Sequence, residues 1–280
     1  MNKNLPQLLR VEWMKVRNYT PFAALSLFFL IGIVAANYVV YSFKKSVVDP
    51  ADPTGILSGT SPYDFDMVWQ TTSYVAGYLL LLPGLLLIML MTNEFSFRTH
   101  RQNIIDGWSR QQFIDVKISM AVIAAVFSTI VVFLTALCFG LASGTMVSFT
   151  RMAPIGFFFL KALSYNMIAL LIAVLVRKTG FAIGVFFIYL WLENFIAALL
   201  EIFSIRLKTD YGRDFGNLGD YLPMNASDGL LHMPSNTLSK IAKNSKMLPS
   251  DYWQVGLLLV FVYLVLFVVW TRSRILRTDL

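Results

Sequence analysis

Long apolar runs alternate with short polar ones along this chain. Val68 to Met91 and Ile118 to Leu141 contain no charged residue, nor does Pro21 to Phe43. Three further runs interrupt the second half. Each is long enough to cross a hydrocarbon core of about 30 Å as a helix. The pattern predicts an all-α integral membrane protein, one transmembrane domain over residues 1–280, with spans at 21–43, 68–92, 118–142, 155–176, 181–200 and 253–271. Residues 201–252 are left as an external segment.

Two polar stretches have structure of their own. Before the first span, Leu5, Leu8, Leu9, Trp13 and Val16 share one helical stripe, with Arg10 and Arg17 on another face, so an interfacial amphipathic helix is predicted. Glu12 lies inside that stripe and has Lys15 and Arg17 within reach. Between the second and third spans lies a basic island, Asn93 to Lys117, reading NEFSFRTHRQNIIDGWSRQQFIDVK. Ile104, Ile105, Trp108 and Phe113 punctuate it, with Arg101, Gln102, Asp106 and Arg110 between them, which suits a short helix along the interface.

Polar residues inside the spans narrow the picture. Pro83-Gly84 near the middle of the second span predicts a kink, because proline removes a helix hydrogen bond and crowds the preceding turn. Pro83 then reads either as part of a path or as packing. Lys161, about two turns into the fourth span, is expected to snorkel to the outer headgroups. Glu193, with Asn194 beside it, is the one carboxylate well inside a predicted span. Burying it costs about 2.5 to 3.5 kcal/mol unless it is paired or wet, so it faces a cavity, an interface or Lys161. Pathway lining and helix interface are both open for this pair. The segment YLPMNASDGLLHMP after the fifth span is too apolar for a free tail and is expected to fold back on the outer face.

The chain is 57% hydrophobic and only 14% charged, against roughly a quarter charged in soluble domains. Its net charge of +7 does not point to nucleic acid, because the basic residues follow the membrane. More than half of the 23 lie at one side of the predicted topology: Lys3, Arg10, Lys15, Arg17, Arg98, Arg101, Arg110, Lys117, Arg177, Lys178, Arg272, Arg274 and Arg277. By the positive-inside rule both termini are then cytoplasmic, with Asp52, Thr145 and Asn236 outside. Cys138 is the single cysteine. No GxxxxGK[ST] or HExxH motif, paired intramembrane carboxylates or Cys/His ligand set is present. The reading assigns no catalytic, cofactor-binding or metal residue to this chain, and an energy source has to come from elsewhere.

Glu94-Phe95, Arg98-Thr99 and Ser109-Arg110, followed by Phe113 and Lys117, resemble the pattern of ABC-2 type permeases, the membrane subunits of bacterial ABC exporters. Asp106-Gly107-Trp108 departs from the proline with small apolar residues that many members carry. The resemblance implies an N-terminal elbow helix with Glu12, Trp13, Lys15 and Arg17. It also implies a coupling helix after the second span that docks on a separate ATPase subunit through Glu94, Phe95, Arg98, Arg101, Ile104, Ile105, Trp108 and Arg110. Ile104, Ile105 and Trp108 would enter a groove on that ATPase, and Arg98, Arg101 and Arg110 would meet acids at its rim. ATP and Mg would be held by the ATPase. Two permeases, as a homodimer or pseudo-dimer, would sit in the inner (plasma) membrane. The rival readings are a secondary transporter and a non-transporting scaffold or assembly factor.

Overall fold

The structure, a computed structural model, describes residues 5–43, 63–212, 216–232 and 253–277. Asp52, Asn236 and the loop sequence before Tyr63 lie outside the described residues. Among the described residues six helical segments are long and apolar enough to cross a membrane, the mark of a multi-pass membrane protein. No strand occurs among the described residues.

Helix α1 (Leu5–Arg17) is amphipathic and turns at Tyr19 into the first span, α2 (Thr20–Phe43). The second span is split into α3 (Val68–Gly77) and α4 (Leu81–Ser96) by the 3-10 turn Tyr78–Leu80. Pro83 accounts for the break, since it has no N–H to donate to the carbonyl of Leu79 and its ring crowds that turn. The expected kink is present, shifted into the preceding turn. Gly84 then admits a neighbour closely, for a Cβ there would stand 3.0 Å from Phe186 Cζ.

The island forms one short helix, α5 (Thr99–Ile105). The third span, α6 (Arg110–Ala142), starts earlier than the apolar run does. Ser109 Oγ accepts from Gln112 N at 3.1 Å while Gln112 Oε1 accepts from Ser109 N at 2.9 Å, so a capping box nucleates the helix within the polar island. Helices α7 (Ala153–Val176) and α8 (Thr179–Tyr211) follow, joined by a two-residue turn that makes them antiparallel neighbours. At 33 residues α8 is about 50 Å long, beyond the span expected at 181–200. Glu201, Arg206, Lys208 and Asp210 continue it past the apolar part until Gly212, at φ 64°, caps it. Residues 201–211 therefore continue this helix beyond the apolar run. A 3-10 turn (Leu218–Tyr221), the short α9 (Pro223–Gly229) and the last span, α10 (Trp253–Arg277), complete the described chain.

Helix α7 is the centre of the bundle and packs on α3, α4, α6, α8 and α10. Two thirds of its apolar window, 67%, is buried, against 11% for α8. Small residues explain the difference: Ala162, Ala169 and Ala173 are fully buried and let neighbouring backbones approach. The bulky apolar faces of α2 and α8 stay exposed because lipid tails are as apolar as Leu, so nothing drives them inward. The spans alternate in direction. Arg110 Nη1 donates to Leu276 O at 3.3 Å, and Thr92 and Thr179 hydroxyls meet at 2.8 Å. These contacts gather α1, α5 and the final turn of α10 at one end of the bundle, called here the island end.

Candidate functional site

Four charges meet beneath the island. Glu12 and Lys15 come from α1, Glu94 from the last turn of α4, and Lys117 from the second turn of α6. Lys117 Nζ lies 2.6 Å from Glu12 Oε2 and 2.8 Å from Glu94 Oε1; Lys15 Nζ lies 2.9 Å from Glu12 Oε1 and 3.0 Å from Glu94 Oε1. Two acids thus alternate with two lysines in a closed, neutral ring. Asn103 of α5 joins it, its Oδ1 accepting from Lys15 Nζ at 3.4 Å. His100 Nδ1 donates to Glu94 O at 2.9 Å and ties the start of the island helix to the same point. Glu12 is 3% exposed, a position at which an unpaired carboxylate would be very costly.

The local electrostatics follow from this ring. Burial alone pushes the Glu12 carboxyl up, but the ammonium groups of Lys117 and Lys15 outweigh it and leave the group below its ordinary range. Burial alone pulls Lys15 down, and the carboxylates of Glu94 and Glu12 outweigh that in turn, so its net shift is upward. Both groups are held in their charged forms. The Glu12–Lys15 pair therefore stays an ion pair across neutral pH and is not a proton switch.

The clamp also settles the orientation of α1. Leu8, Glu12 and Val16 face inward, whereas Leu5 is exposed and Trp13 is 57% exposed. The apolar stripe expected from the sequence is rotated by the pull of Lys117 on Glu12 and of Glu94 on Lys15. Arg17, expected on a face away from that stripe, is exposed.

Above the clamp, the island turns one surface outward. Ile105 is 77% exposed, and Phe97, Arg98, Arg101 and Arg110 are exposed as well, with Ile104 and Phe95 half-buried. Arg98 sits at φ 55° and starts α5 at a sharp angle to α4. Phe95 faces Arg177, whose guanidinium carbon lies 5.2 Å from the ring centre and links the island to the α7–α8 turn. Trp108 does not share this surface. Gly107, at φ 92°, reverses the chain after α5, the Trp108 N–H bonds to Asn103 O at 3.0 Å, and the indole is buried to 4% exposure in the core that holds Leu8 and Phe113. Lys15 Nζ stands 5.8 Å from the indole ring centre. The expectation that Trp108 projects outward is corrected: the residue is a pillar under the island, and the Asp106-Gly107 pair was the sequence signal for it.

A second polar group lies toward the opposite end. The fold-back expected after the fifth span is present over Leu218–Leu231, against α7, α8 and α10. Glu193 Oε1 accepts the N–H groups of Met224 and Asn225, the latter at 2.9 Å, and so caps the N-terminus of α9. Asn225 Nδ2 adds a longer contact at 3.3 Å. Lys161 does not snorkel and is not the partner of Glu193. It is 7% exposed, lies 3.1 Å from Asp228 Oδ1, and has the rings of Tyr78 and Tyr165 about it. Tyr165 donates to the other Asp228 oxygen at 3.2 Å. Asn194 points away, exposed and bonded back to Leu190 O. Pro83 is on neither polar group and lines an apolar cavity near α1.

The structure thus brings together Glu12, Lys15 and Glu94 from the expected set and adds Lys117 and Asn103. The sequence offered one hint: Lys117 is a charge set among Ile114, Val116 and Ile118. Searched against known proteins, the chain matches no family model and no curated protein.

Proposed function

We propose that this chain is the transmembrane permease subunit of an ATP-binding cassette exporter, its work driven by ATP hydrolysed with Mg on a separate subunit. The observation that carries the reading is the exposed island surface joined through one buried charge ring to α1, α4 and α6. A loop free to flex would absorb a push from a partner. Here a force on α5 passes through His100 to Glu94 and the second span, and through Asn103 and Lys15 to Glu12, Lys117, the N-terminal helix and the third span. In this reading α5 is the coupling helix, α1 is the elbow, and the basic residues around both face the cytoplasm. Ile105 and Phe97 supply the apolar contact, with Arg98 and Arg101 at the rim. Two permeases and two ATPases rock the spans between inward-open and outward-open states.

The test is gentle extraction of the tagged chain from its own host. A P-loop ATPase recovered in stoichiometric amount, in a complex that hydrolyses ATP, supports the proposal. An intact permease recovered alone, without nucleotide hydrolysis, overturns it.

A specific observation also favours a second reading. Lys161, Asp228 and Glu193 are ionisable groups set among spans toward the end opposite the island, and the second span is broken beside them, features of ion-coupled secondary transporters. Transport by the chain alone in proteoliposomes, driven by a proton or sodium gradient without ATP, would select it.

A further inference from the structure

Beside the clamp, α1, α2, α4 and α6 enclose a cavity of about 480 Å³. It takes roughly sixteen groups of water or methylene size at about 30 Å³ each. Its walls run from Leu90 to Leu82 on α4 and from Met120 to Ser128 on α6, eight residues or about 12 Å of depth on each helix. One leaflet of hydrocarbon is about 15 Å deep. The cavity therefore has the length and volume of a single acyl chain reaching from the interface toward the midplane.

Its chemistry selects the same occupant. Water needs two or more polar partners, and of the few polar side chains on the wall Ser128 and Glu12 are already engaged, which leaves one hydroxyl, Ser26, on an otherwise apolar surface. Ser128 Oγ donates to Ala124 O at 2.8 Å, and Glu12 is neutralised by Lys15 and Lys117. At the mouth Arg10 is exposed, and no hydrogen bond or ion pair among the described residues engages it. Trp13 stands next to it, edge-on to Phe22 with ring centres 5.9 Å apart, forming a doorway with an interfacial tryptophan. An occupant must be apolar along its body and anionic at its head.

We propose that this cavity is a binding site for one anionic phospholipid from the leaflet in which α1 lies, with an acyl chain between α4 and α6 and the phosphate on Arg10. The site rests on the six helices crossing a membrane and is independent of any ATPase. Because α1, α4 and α6 are also the helices of the charge ring, the lipid completes the packing around the clamp and makes its rigidity depend on membrane composition.

Native mass spectrometry of the detergent-purified full chain, loaded with phosphatidylglycerol or phosphatidylcholine of matched chains, tests the site. Wild type retains one phosphatidylglycerol per chain, with a preference of about fivefold over phosphatidylcholine from the one arginine. Arg10→Gln abolishes the preference while keeping the chain-dependent binding. Ala124→Phe fills the cavity and lowers retention of both lipids by about tenfold or more. Ile123→Trp, at an exposed wall position that tolerates bulk, does the same should Ala124→Phe fold poorly. Equal retention in wild type and both filling variants means annular lipid only and overturns the proposal, as does a wild type without headgroup preference. No ATPase enters the assay, so its failure leaves the transport reading standing.

Discussion

Lys117 Nζ lies 2.6 Å from Glu12 Oε2, joining residues 105 positions apart. The contact draws a helix that precedes the first span onto the start of the third. Glu94 reaches the same ammonium from the end of the second span, so three helix ends converge on one nitrogen.

Removing Lys117 strands two acids with only Lys15 between them. Lys117→Gln should destabilise the purified protein by about 3–5 kcal/mol, the usual cost of breaking a buried pair from one side. The double variant Glu12→Gln, Lys117→Gln should lie closer to wild type than either single variant, since it leaves the Lys15–Glu94 pair balanced. Thermal unfolding of the four proteins in one detergent checks this; equal midpoints would show that the ring holds nothing.

The pH response follows from the directions of the two shifts. Glu12 is depressed below its ordinary 4.5 in the folded protein, so its contribution is fully present above that value and is lost as pH falls through the folded pKa. Lys15 is raised above its ordinary 10.5, so its contribution is full below that value and is lost as pH rises through the folded pKa. Stability assigned to Glu12 and Lys15 should be flat between these limits. Unfolding midpoints of wild type and Glu12→Gln, measured against pH, should keep a constant gap through neutrality, closing in acid as Glu12 is protonated and narrowing in strong base as Lys15 loses its charge. A gap that changes near neutral pH would contradict the clamp.

Exposure separates two island residues. Ile105→Asp alters a surface that nothing in the described chain covers; on the proposed exporter reading it should weaken association with the ATPase subunit by about 2 kcal/mol or more while leaving thermal stability unchanged. Trp108→Ala empties a buried site and should cost the protein about 3–5 kcal/mol of its own stability. Binding of the purified ATPase to each variant in nanodiscs, read with melting curves, distinguishes them. Unchanged binding by Ile105→Asp would remove that surface from the interface.

Glu193 acts through one oxygen, which an amide also offers. Glu193→Gln should keep the cap on α9 and fold normally, whereas Glu193→Ala leaves two buried N–H groups unpaired at about 1–3 kcal/mol. Protease sensitivity of the segment around Met224 reports on the cap. Equal sensitivity of the two variants would show that the carboxylate charge, and not the acceptor, is what matters.

Orientation is testable by labelling intact cells with an impermeant thiol reagent after Cys138→Ser. Thr145→Cys should react from outside, while Arg101→Cys and Lys178→Cys should react only after permeabilisation. External labelling at Arg101 would invert the topology and sink the docking surface with it.

The number and approximate place of the spans were legible in the sequence because lipid demands a continuous apolar run, and that demand is local. The proline break and the fold-back after the fifth span were legible for the same reason, each being carried by neighbouring residues. Helix ends were less so: α6 begins at a capping box and α8 runs on to Gly212, and neither depends on apolarity. The partners of the charged residues were the least legible. Lys15 could be placed beside Glu12 by helical spacing, but Lys117 met Glu12 only when α1 and α6 packed together. Lys161 looked like a snorkelling residue because Asp228, which holds it, arrives on a segment that returns to the bundle more than sixty residues later. Trp108 turned inward on the φ of one glycine. The one-dimensional pattern records what each stretch must avoid in lipid; which buried charge finds which counter-charge is a property of the packed helices, because Coulomb pairing acts through space and carries no memory of sequence distance.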